Sequence, residues 1–483
     1  MTSNPKSIPA TSSAETNQTA FILTEKVENI GKRDIAWSYV AAIFMVGAGV
    51  LLYPFILSKM SSETVGIWNI FTTITFMVNL LDFGFRPSFA RNISYIFSGV
   101  KSLQKNGVAT LSEDDSVDYS LLKGTLRAMQ KFYRWVALGV FVILATAGTA
   151  YFYFILQKYT GDHHDAMLAW VLLIAINCYN LYTLYYDALL LGKGYVRRSQ
   201  QITIISQLIY LCIAIGLIFA GYGLSAIVGA QLIAAIIRRT LTYRVFFTPT
   251  LKQRLVAVEG QPVRPILRAI YPNAIKVGLT GLGGFLVNKS SILIGSAFLT
   301  LEQLACYGIT VQVMDVLARC ATVMYQSFTP KLAQCRVERD MTTLRRYYIY
   351  SVGSLLAVYI AGGLCWMLLG NWALGLIHSQ TMFLPTSMLC VMLLISALEH
   401  NHSVSAGFIM ADNKIPFFIP SLVSGAATVF LLWLFLSPLH MGVWGLILAP
   451  GIAQLAYQNW KWPSVIIREL HQSRKNETPA NPS

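Results

Sequence analysis

The chain has 483 residues, of which 55% are hydrophobic and 12% are charged, and its mean hydropathy is +0.54. Only lipid can cover this much apolar side chain, so the composition excludes an ordinary soluble globular protein. The formal net charge of +15 at pH 7 does not require a nucleic-acid partner, because retention of basic residues on the cytoplasmic side of a membrane accounts for it.

Long apolar runs begin after a polar segment, residues 1–33, which is predicted to be a disordered cytoplasmic N-terminus. The first run starts too late and is too long for a cleaved signal peptide, so it is predicted to be a membrane span.

A hydrocarbon core about 30 Å thick needs roughly 20 apolar residues per helix. Runs of this length without period-two alternation exclude an outer-membrane barrel. The predicted spans are 34–58, 64–83, 135–156, 167–191, 201–220, 223–243, 273–297, 303–327, 348–369, 383–409, 415–437 and 442–460.

Most Lys and Arg residues lie in the connections on one side of the predicted membrane. With the N-terminus in the cytoplasm, Lys59 and Lys158 are the basic residues on outer segments, and Lys276, Lys289 and Arg319 are those counted within spans. Such an asymmetry is typical of the positive-inside rule. The sequence therefore predicts an even number of spans with both termini in the cytoplasm.

An internal repeat relates the two halves of the chain. Because each half has an even number of spans, the halves share one orientation, and their pseudo-axis runs along the membrane normal. Two such bundles leave a cleft between them, where transporters usually bind their substrates. An offset of 239 residues pairs Glu63 with Glu302, Gly66 with Ala305, Trp68 with Tyr307, Ile70 with Ile309, and Ser88-Phe89 with Ser327-Phe328.

These observations predict the fold class and the division of the chain. The fold is expected to be an all-α integral membrane protein with about twelve transmembrane helices in two six-helix lobes around a central cleft. The predicted segments are the N-terminus 1–33, an N-lobe 34–243, a cytoplasmic linker 244–272, a C-lobe 273–460 and a cytoplasmic tail 461–483.

Residues 119–134 are predicted to form a helix with a basic face. The pattern indicates either a helix lying on the anionic inner leaflet or a solvated extension of the third span. The apolar positions at helical spacing are Leu122, Leu126, Met129 and Tyr133, and the basic positions on another face are Lys123, Arg127, Lys131 and Arg134.

Ionisable side chains inside spans are functional candidates, because each costs roughly 3 kcal/mol at the centre of the bilayer on insertion scales. Seven of them fall in the second half of the chain: Lys276, Lys289, Asp315, Arg319, Glu399, His400 and His402. Asp315 and Arg319 lie one helical turn apart, so they either pair with each other or remain available to a ligand. His400 and His402 either relay protons or form a packed polar spot.

Lys289 has no acidic residue within reach on its own helix. Its ammonium group therefore needs a carboxylate from a neighbouring helix, such as Asp315 or Glu399, or an anionic ligand. Lys276 lies nearer the cytoplasmic mouth, where a long side chain can also extend to the lipid headgroups.

A charged turn closes the second span. Asp82 and Gly84 precede Arg86, and Arg91 follows one turn later. Guanidinium groups at headgroup level either bind phosphate in bidentate fashion or anchor the protein on the cytoplasmic side.

Other chemistry is not supported by the sequence. The seven cysteines have no CxxC spacing, which argues against a disulfide framework or a zinc site. Motifs of the Gly-x-Ser-x-Gly, His-Glu-x-x-His and P-loop types are absent, so an ATP-driven motor is not expected. The chain is predicted to be a transporter, not an enzyme, with no cofactor and no metal site. Coupling to H⁺ or Na⁺ through Asp315, Glu399 or a histidine stays open.

The segment from Gly66 to Ser94 resembles the flippases that move lipid-linked oligosaccharide repeat units in bacterial polysaccharide export. In that family a Gly-aromatic pair opens the second span, and an Asp-x-Gly turn followed by Arg closes it. The residues of this chain at those places are Gly66, Trp68, Asp82, Gly84, Phe85 and Arg91. The resemblance extends over the whole chain in length and number of spans.

The resemblance implies the fold of the multidrug/oligosaccharidyl-lipid/polysaccharide exporter (MOP) superfamily, with two lobes, a V-shaped cleft and alternating access. It also implies a bacterial inner-membrane location and, as substrate, a polyprenyl diphosphate carrying a short glycan such as an O-antigen or capsule repeat unit. Polysaccharide polymerase and export machinery are the implied protein partners. Cationic groups suited to a diphosphate are Lys289, Arg319, Lys276, Arg86 and Arg91.

Two other functions compete with this interpretation. An ion-coupled multidrug exporter of the same superfamily handles organic cations and would favour acidic residues in the cavity. A membrane glycan polymerase or ligase generally has a large external loop with catalytic residues, whereas the longest predicted outer segment here, about 370–382, is short and carries His378 as its ionisable candidate.

Overall fold

The computed structural model of this protein describes residues 32–100, 117–338, 340–411 and 416–477, and these residues form helices and no strand. In the first half the helices are α1 (Lys32–Lys59), α2 (Ser62–Leu80), α3 (Phe85–Phe97), α4 (Tyr119–Ile143), α5 (Thr149–Leu156), α6 (His163–Tyr182), α7 (Tyr185–Gly192), α8 (Val196–Phe219) and α9 (Leu224–Phe246). In the second half they are α10 (Pro249–Ala257), α11 (Val263–Asn288), α12 (Ser290–Phe298), α13 (Leu301–Glu338), α14 (Met341–Leu376), α15 (Thr386–Met410), α16 (Phe418–Leu436), α17 (Val443–Leu455) and α18 (Gln458–Glu477).

By length and composition, seven of the described helices can each cross a membrane, and the pair α2 and α3, bent by 43°, makes an eighth span. One of the seven runs from Tyr119 to Leu156 through a π-helical turn, Leu144–Gly148, that joins α4 to α5. With α1, the broken helix α11–α12, α15 and α17, the chain has about twelve spans. Helices suit this setting because they satisfy the backbone hydrogen bonds internally where no water is present.

The spans form two six-helix lobes. In the first lobe α1 packs on α8, α8 on α9 and α9 on α6, and in the second lobe α11 packs on α16, α16 on α17 and α13 on α14. The predicted fold class is therefore confirmed. The segment boundaries predicted for the lobes and the linker stay predictions.

The lobes meet where α2 crosses α13. A side chain at Gly66 would collide with the carbonyl of Leu301, and one at Gly308 would collide with the Asn69 side chain, so both positions need glycine for this close approach. Asn69 and Gly308 are 239 residues apart, as are the first residues of the two helices, Ser62 and Leu301. Contact between equivalent positions places the crossing beside the pseudo-axis that relates the halves.

One end of the bundle is closed by bonds between the lobes. We call it the sealed end, and it comprises the turns at 60–61, 157–162, 299–300 and 377–385. The Ser62 hydroxyl donates to the carbonyl of Gln380 (2.6 Å), and the Gln380 amide donates to the carbonyl of Leu57 (3.3 Å). The opposite end, which we call the basic end, comprises the turns at 81–84 and 193–195 and the segment 247–262.

The basic helix predicted at 119–134 is the first part of α4 and continues into the third span. Its apolar positions Leu122, Met129 and Tyr133 are fully buried in the protein, whereas Arg127 and Arg134 are exposed. The structure thus favours the solvated extension of the span over a helix lying flat on the leaflet.

The crossing of α2 and α13 yields a prediction about stability. In Gly66→Leu the new side chain meets the backbone of α13, and overpacking of this kind costs about 1–3 kcal/mol. We expect a lower melting temperature in detergent, measured by fluorescence-detected size exclusion after heating. Gly216→Leu is the matched control, because beyond the adjoining backbone of its own helix no atom lies within 4 Å of a Cβ there. Equal melting temperatures for the two variants would contradict this packing.

Candidate functional site

A cavity of about 840 Å³ lies between the two lobes, bordered by α1, α2, α12, α13, α14 and α15. A second cavity of about 470 Å³ adjoins it. Lys289, Asp315 and His400 line both cavities, so these three side chains stand where the two spaces meet. Most of the larger cavity's wall is apolar, and its other polar side chains include Asn69, Thr72, Gln312 and Arg319.

Lys289 both breaks a helix and supplies a charge to the cavity. Its backbone (φ −129°, ψ −14°) interrupts the seventh span between α11 and α12. Its Nζ lies 2.5 Å from Oδ2 of Asp315 on α13, and the two side chains are 20% and 48% exposed, respectively. A neighbouring helix therefore provides the carboxylate that this lysine needs, and Asp315 bonds to Lys289 instead of Arg319.

Arg319 is exposed and lines the larger cavity. Among the described residues it makes no ion pair within 4 Å. Since Asp315 balances Lys289, the guanidinium of Arg319 leaves the larger cavity with a net positive charge. Guanidinium groups of this kind bind phosphates and carboxylates in bidentate fashion.

The two histidines of α15 have different surroundings. Nδ1 of His400 lies 2.8 Å from the carbonyl of Ser396 and 3.0 Å from the hydroxyl of Tyr359. His402 is buried, with Nδ1 2.9 Å from Oδ1 of Asn459. Burial and this bond favour the packed polar spot for His402 and leave His400 as the histidine that lines the cavities.

Glu399 lines the smaller cavity and is held by side-chain amides. Its Oε1 accepts from Nε2 of Gln454 (3.2 Å) and from Nδ2 of Asn288 (3.5 Å), and Oε2 lies 4.0 Å from Nδ1 of His402. The carboxylate thus has polar partners from α11, α15 and α17. Within the described residues there is no cluster of three or more His, Cys, Asp or Glu side chains fit to hold a metal ion.

An amide pair joins the lobes at the cavity wall. Nε2 of Gln312 on α13 donates to Oδ1 of Asn69 on α2 (2.6 Å). Among the described residues, Nδ2 of Asn69 and Oε1 of Gln312 have no further hydrogen-bond partner. The pair therefore links the two lobes through one hydrogen bond at the cavity wall.

The other predicted site residues lie elsewhere. Arg86 and Arg91 are exposed near the basic end and line neither cavity. Asp82 caps α3, since it accepts from the backbone amide of Arg86 (3.1 Å) and from the hydroxyl of Tyr133 (2.6 Å). Gly84 (φ +70°) provides the left-handed turn between α2 and α3. The side chain of Lys276 lies outside the described part of the structure.

A buried charge cluster was missed by the sequence analysis. Asp187 on α7 lies 2.8 Å from Nη1 of Arg239 and 3.3 Å from Nη2 of Arg238, both on α9. Asp187 and Arg239 are about 95% buried. The sequence could have revealed this cluster, because Asp187, Arg238 and Arg239 are ionisable residues inside the predicted spans 167–191 and 223–243. The cluster joins two helices of the first lobe and lines neither cavity.

Several solved structures with similar folds are described as transporters or as a flippase. One, described as the inward-facing conformation of a multidrug resistance MATE family transporter of the MOP superfamily, aligns with a TM-score of 0.66 and 12% identity over 91% of this chain and 96% of that chain. A structure of the MATE multidrug transporter DinF-BH gives 0.58 and 14% over 93% and 98%. The lipid II flippase MurJ in an inward closed conformation gives 0.57 and 13% over 92% and 94%.

No protein-family model matches this sequence, and no curated protein matches it. At identities this low the structural likeness shows the fold alone, and this chain shares that fold with the three solved structures. The protein is accordingly an all-helical, multi-pass membrane protein.

The buried cluster yields a second prediction. Asp187→Ala leaves Arg239 buried without its carboxylate, and losing one partner of a buried pair costs about 3–5 kcal/mol. We expect a marked drop in melting temperature and in the yield of folded protein. Arg127→Ala removes an exposed charge and serves as the control, with less than about 1 kcal/mol expected. If both variants melted together with the wild type, the cluster would have no structural role.

Proposed function

We propose that this protein is a flippase that moves a polyprenyl-diphosphate-linked oligosaccharide across the bacterial inner membrane for polysaccharide or O-antigen biosynthesis. The observation that carries the proposal is the positive charge of the cavity between the lobes, where Arg319 has no carboxylate partner among the described residues. A diphosphate is the part of such a substrate that needs cations in an apolar setting.

Lys289 can add a second cation to the site by exchanging partners. Its ammonium group contacts Asp315, which is about half exposed to the cavity and can be solvated when the contact breaks. A diphosphate between Lys289 and Arg319 would then replace one anion by another, so the lysine never stays unpaired in an apolar environment. Arg86 and Arg91 are proposed to attract the anionic headgroup near the basic end.

The polar part of the wall suits the glycan. Thr72 and His400 contribute hydroxyl and imidazole groups to the lining, and the paired amides of Asn69 and Gln312 lie in the same wall. Sugar hydroxyl groups both donate to and accept from such groups. A volume of about 840 Å³ lies in the range of about 300–1,000 Å³ that is usual for small-molecule sites. The prenyl tail remains in lipid.

Alternating access requires that one end of the bundle opens while the other is closed. We place the basic end in the cytoplasm, because the retained Lys and Arg residues lie there. The substrate enters from that side while the sealed end is closed, and the lobes then rock so that the headgroup leaves on the other side. Glu399, His400 and Asp315 are the candidates for coupling this motion to H⁺ or Na⁺.

An ion-coupled multidrug exporter is the second candidate. The larger cavity is also lined by Tyr53, Phe76, Trp366 and Phe383, and aromatic faces together with a half-exposed carboxylate at Asp315 suit an organic cation. Drug-resistance profiling of a deletion strain against loss of surface glycan separates the two functions.

The flippase proposal predicts the effect of removing the unpaired cation. In Arg319→Ala the diphosphate loses its bidentate partner, and we expect at least a tenfold loss of surface glycan, since charge-assisted hydrogen bonds are worth about 1.5–3 kcal/mol. Lys289→Ala should give a similar loss. Glycan is measured by gel electrophoresis at matched membrane levels of protein. Arg134→Ala, at an exposed position outside both cavities, is the control. Normal export by Arg319→Ala would remove this residue from the mechanism.

A further inference from the structure

Lysine side chains make contacts at both ends of α12, the second part of the broken seventh span. At its start Lys289 reaches Asp315 in the cavity. At its end Lys158, from the turn after α5, donates to the carbonyls of Ser296 and Ala297, both at 2.9 Å. With nine residues, α12 is about 13 Å long. A single rigid element therefore connects the cavity to the sealed end.

Lys158 acts as a cap on α12. The last carbonyls of a helix lack backbone partners and carry the negative end of the helix dipole, so an ammonium group there is favourable. A third carbonyl, that of Leu299, lies 3.4 Å from Nζ. Burial lowers the pKa of the Lys158 ammonium, which is consistent with a group withdrawn from solvent. The Tyr151 hydroxyl reinforces the contact through the carbonyl of Leu293 (3.3 Å).

This cap joins different lobes. Lys158 and Tyr151 belong to the first six spans, whereas α12 is part of the seventh span. The lobes cannot separate at the sealed end unless Nζ leaves these carbonyls. The other lysine at the sealed end, Lys59, is exposed and lies over the ring of Phe219 in its own lobe (5.9 Å).

We propose that Lys158 is a positioning residue that acts through α12 on Lys289. It holds α12 in the orientation in which Lys289 contacts Asp315, and withdrawal of Lys289 toward an anionic ligand turns α12 about the break and releases the cap. Ligand binding in the cavity is thereby coupled to opening of the sealed end. The choice of an anionic ligand rests on the proposed function, whereas the role of the cap does not.

The test measures the distance between the lobes at the sealed end. Spin labels are placed at two exposed positions, His164→Cys in the first lobe and Leu439→Cys in the second, in a variant without the seven native cysteines and reconstituted in nanodiscs. Electron–electron double resonance gives the ratio of long to short distances. Inorganic pyrophosphate at increasing concentration is the anionic probe.

We expect Lys158→Met to raise that ratio roughly tenfold, in line with the loss of charge-assisted hydrogen bonds. Lys158→Arg should stay near the wild type because it keeps a cation at the carbonyls, and Lys59→Met should change nothing. If Lys158→Met does not fold, Tyr151→Phe removes only a hydroxyl and should shift the ratio in the same direction. A wild-type ratio in both Lys158→Met and Tyr151→Phe overturns the proposal.

Coupling to the cavity is tested in the same samples. Lys289→Met should raise the ratio of long to short distances as Lys158→Met does. Because both substitutions act on α12, the ratio in the double variant should be close to that of the single variants. Pyrophosphate should raise the ratio in the wild type and not in Lys289→Met. Fully additive effects, or a response to pyrophosphate that survives Lys289→Met, overturn the coupling. No glycan is present, so loss of the flippase function in the export experiment leaves these results unaffected.

Discussion

The contact between Lys289 and Asp315 is the interaction on which the rest of the site depends. An ammonium group inside a membrane-spanning segment is unfavourable unless a carboxylate or an anionic ligand compensates it, and here the carboxylate comes from α13 across the cavity wall. Because Asp315 is engaged, Arg319 gives the larger cavity its excess of positive charge. The same lysine breaks the seventh span, so charge and backbone geometry change at one residue.

The fold places this contact beside the point where the lobes touch. The crossing of α2 and α13 needs Gly66 and Gly308, and it brings Asn69 against Gln312 in the cavity wall. Both helices begin at the sealed end, and α13 runs on through Asp315 and Arg319 toward the basic end. Lobe contact, ligand cavity and seal therefore share α13, so motion of the lobes necessarily changes the cavity.

Much of this arrangement could be predicted from the sequence. Lys289, Asp315, Arg319 and His400 stood out because ionisable groups in apolar runs are costly, and all four line the larger cavity. Which carboxylate contacts Lys289 could not be predicted, because it depends on how α12 and α13 are rotated against each other. The cap by Lys158 depends equally on lobe contact. Asp187 and Arg239 were overlooked although each lies inside a predicted span.

Translocation in a purified system tests the central claim most directly. Proteoliposomes containing a polyprenyl diphosphate with a fluorescent oligosaccharide report movement of the headgroup through its accessibility to an impermeant quencher. We predict rapid movement with the wild-type protein, and movement at least tenfold slower with Arg319→Ala at equal protein content, since about 1.4 kcal/mol corresponds to tenfold. Equal rates in the two proteins, or no movement with the wild type while an organic cation is transported, would contradict the claim.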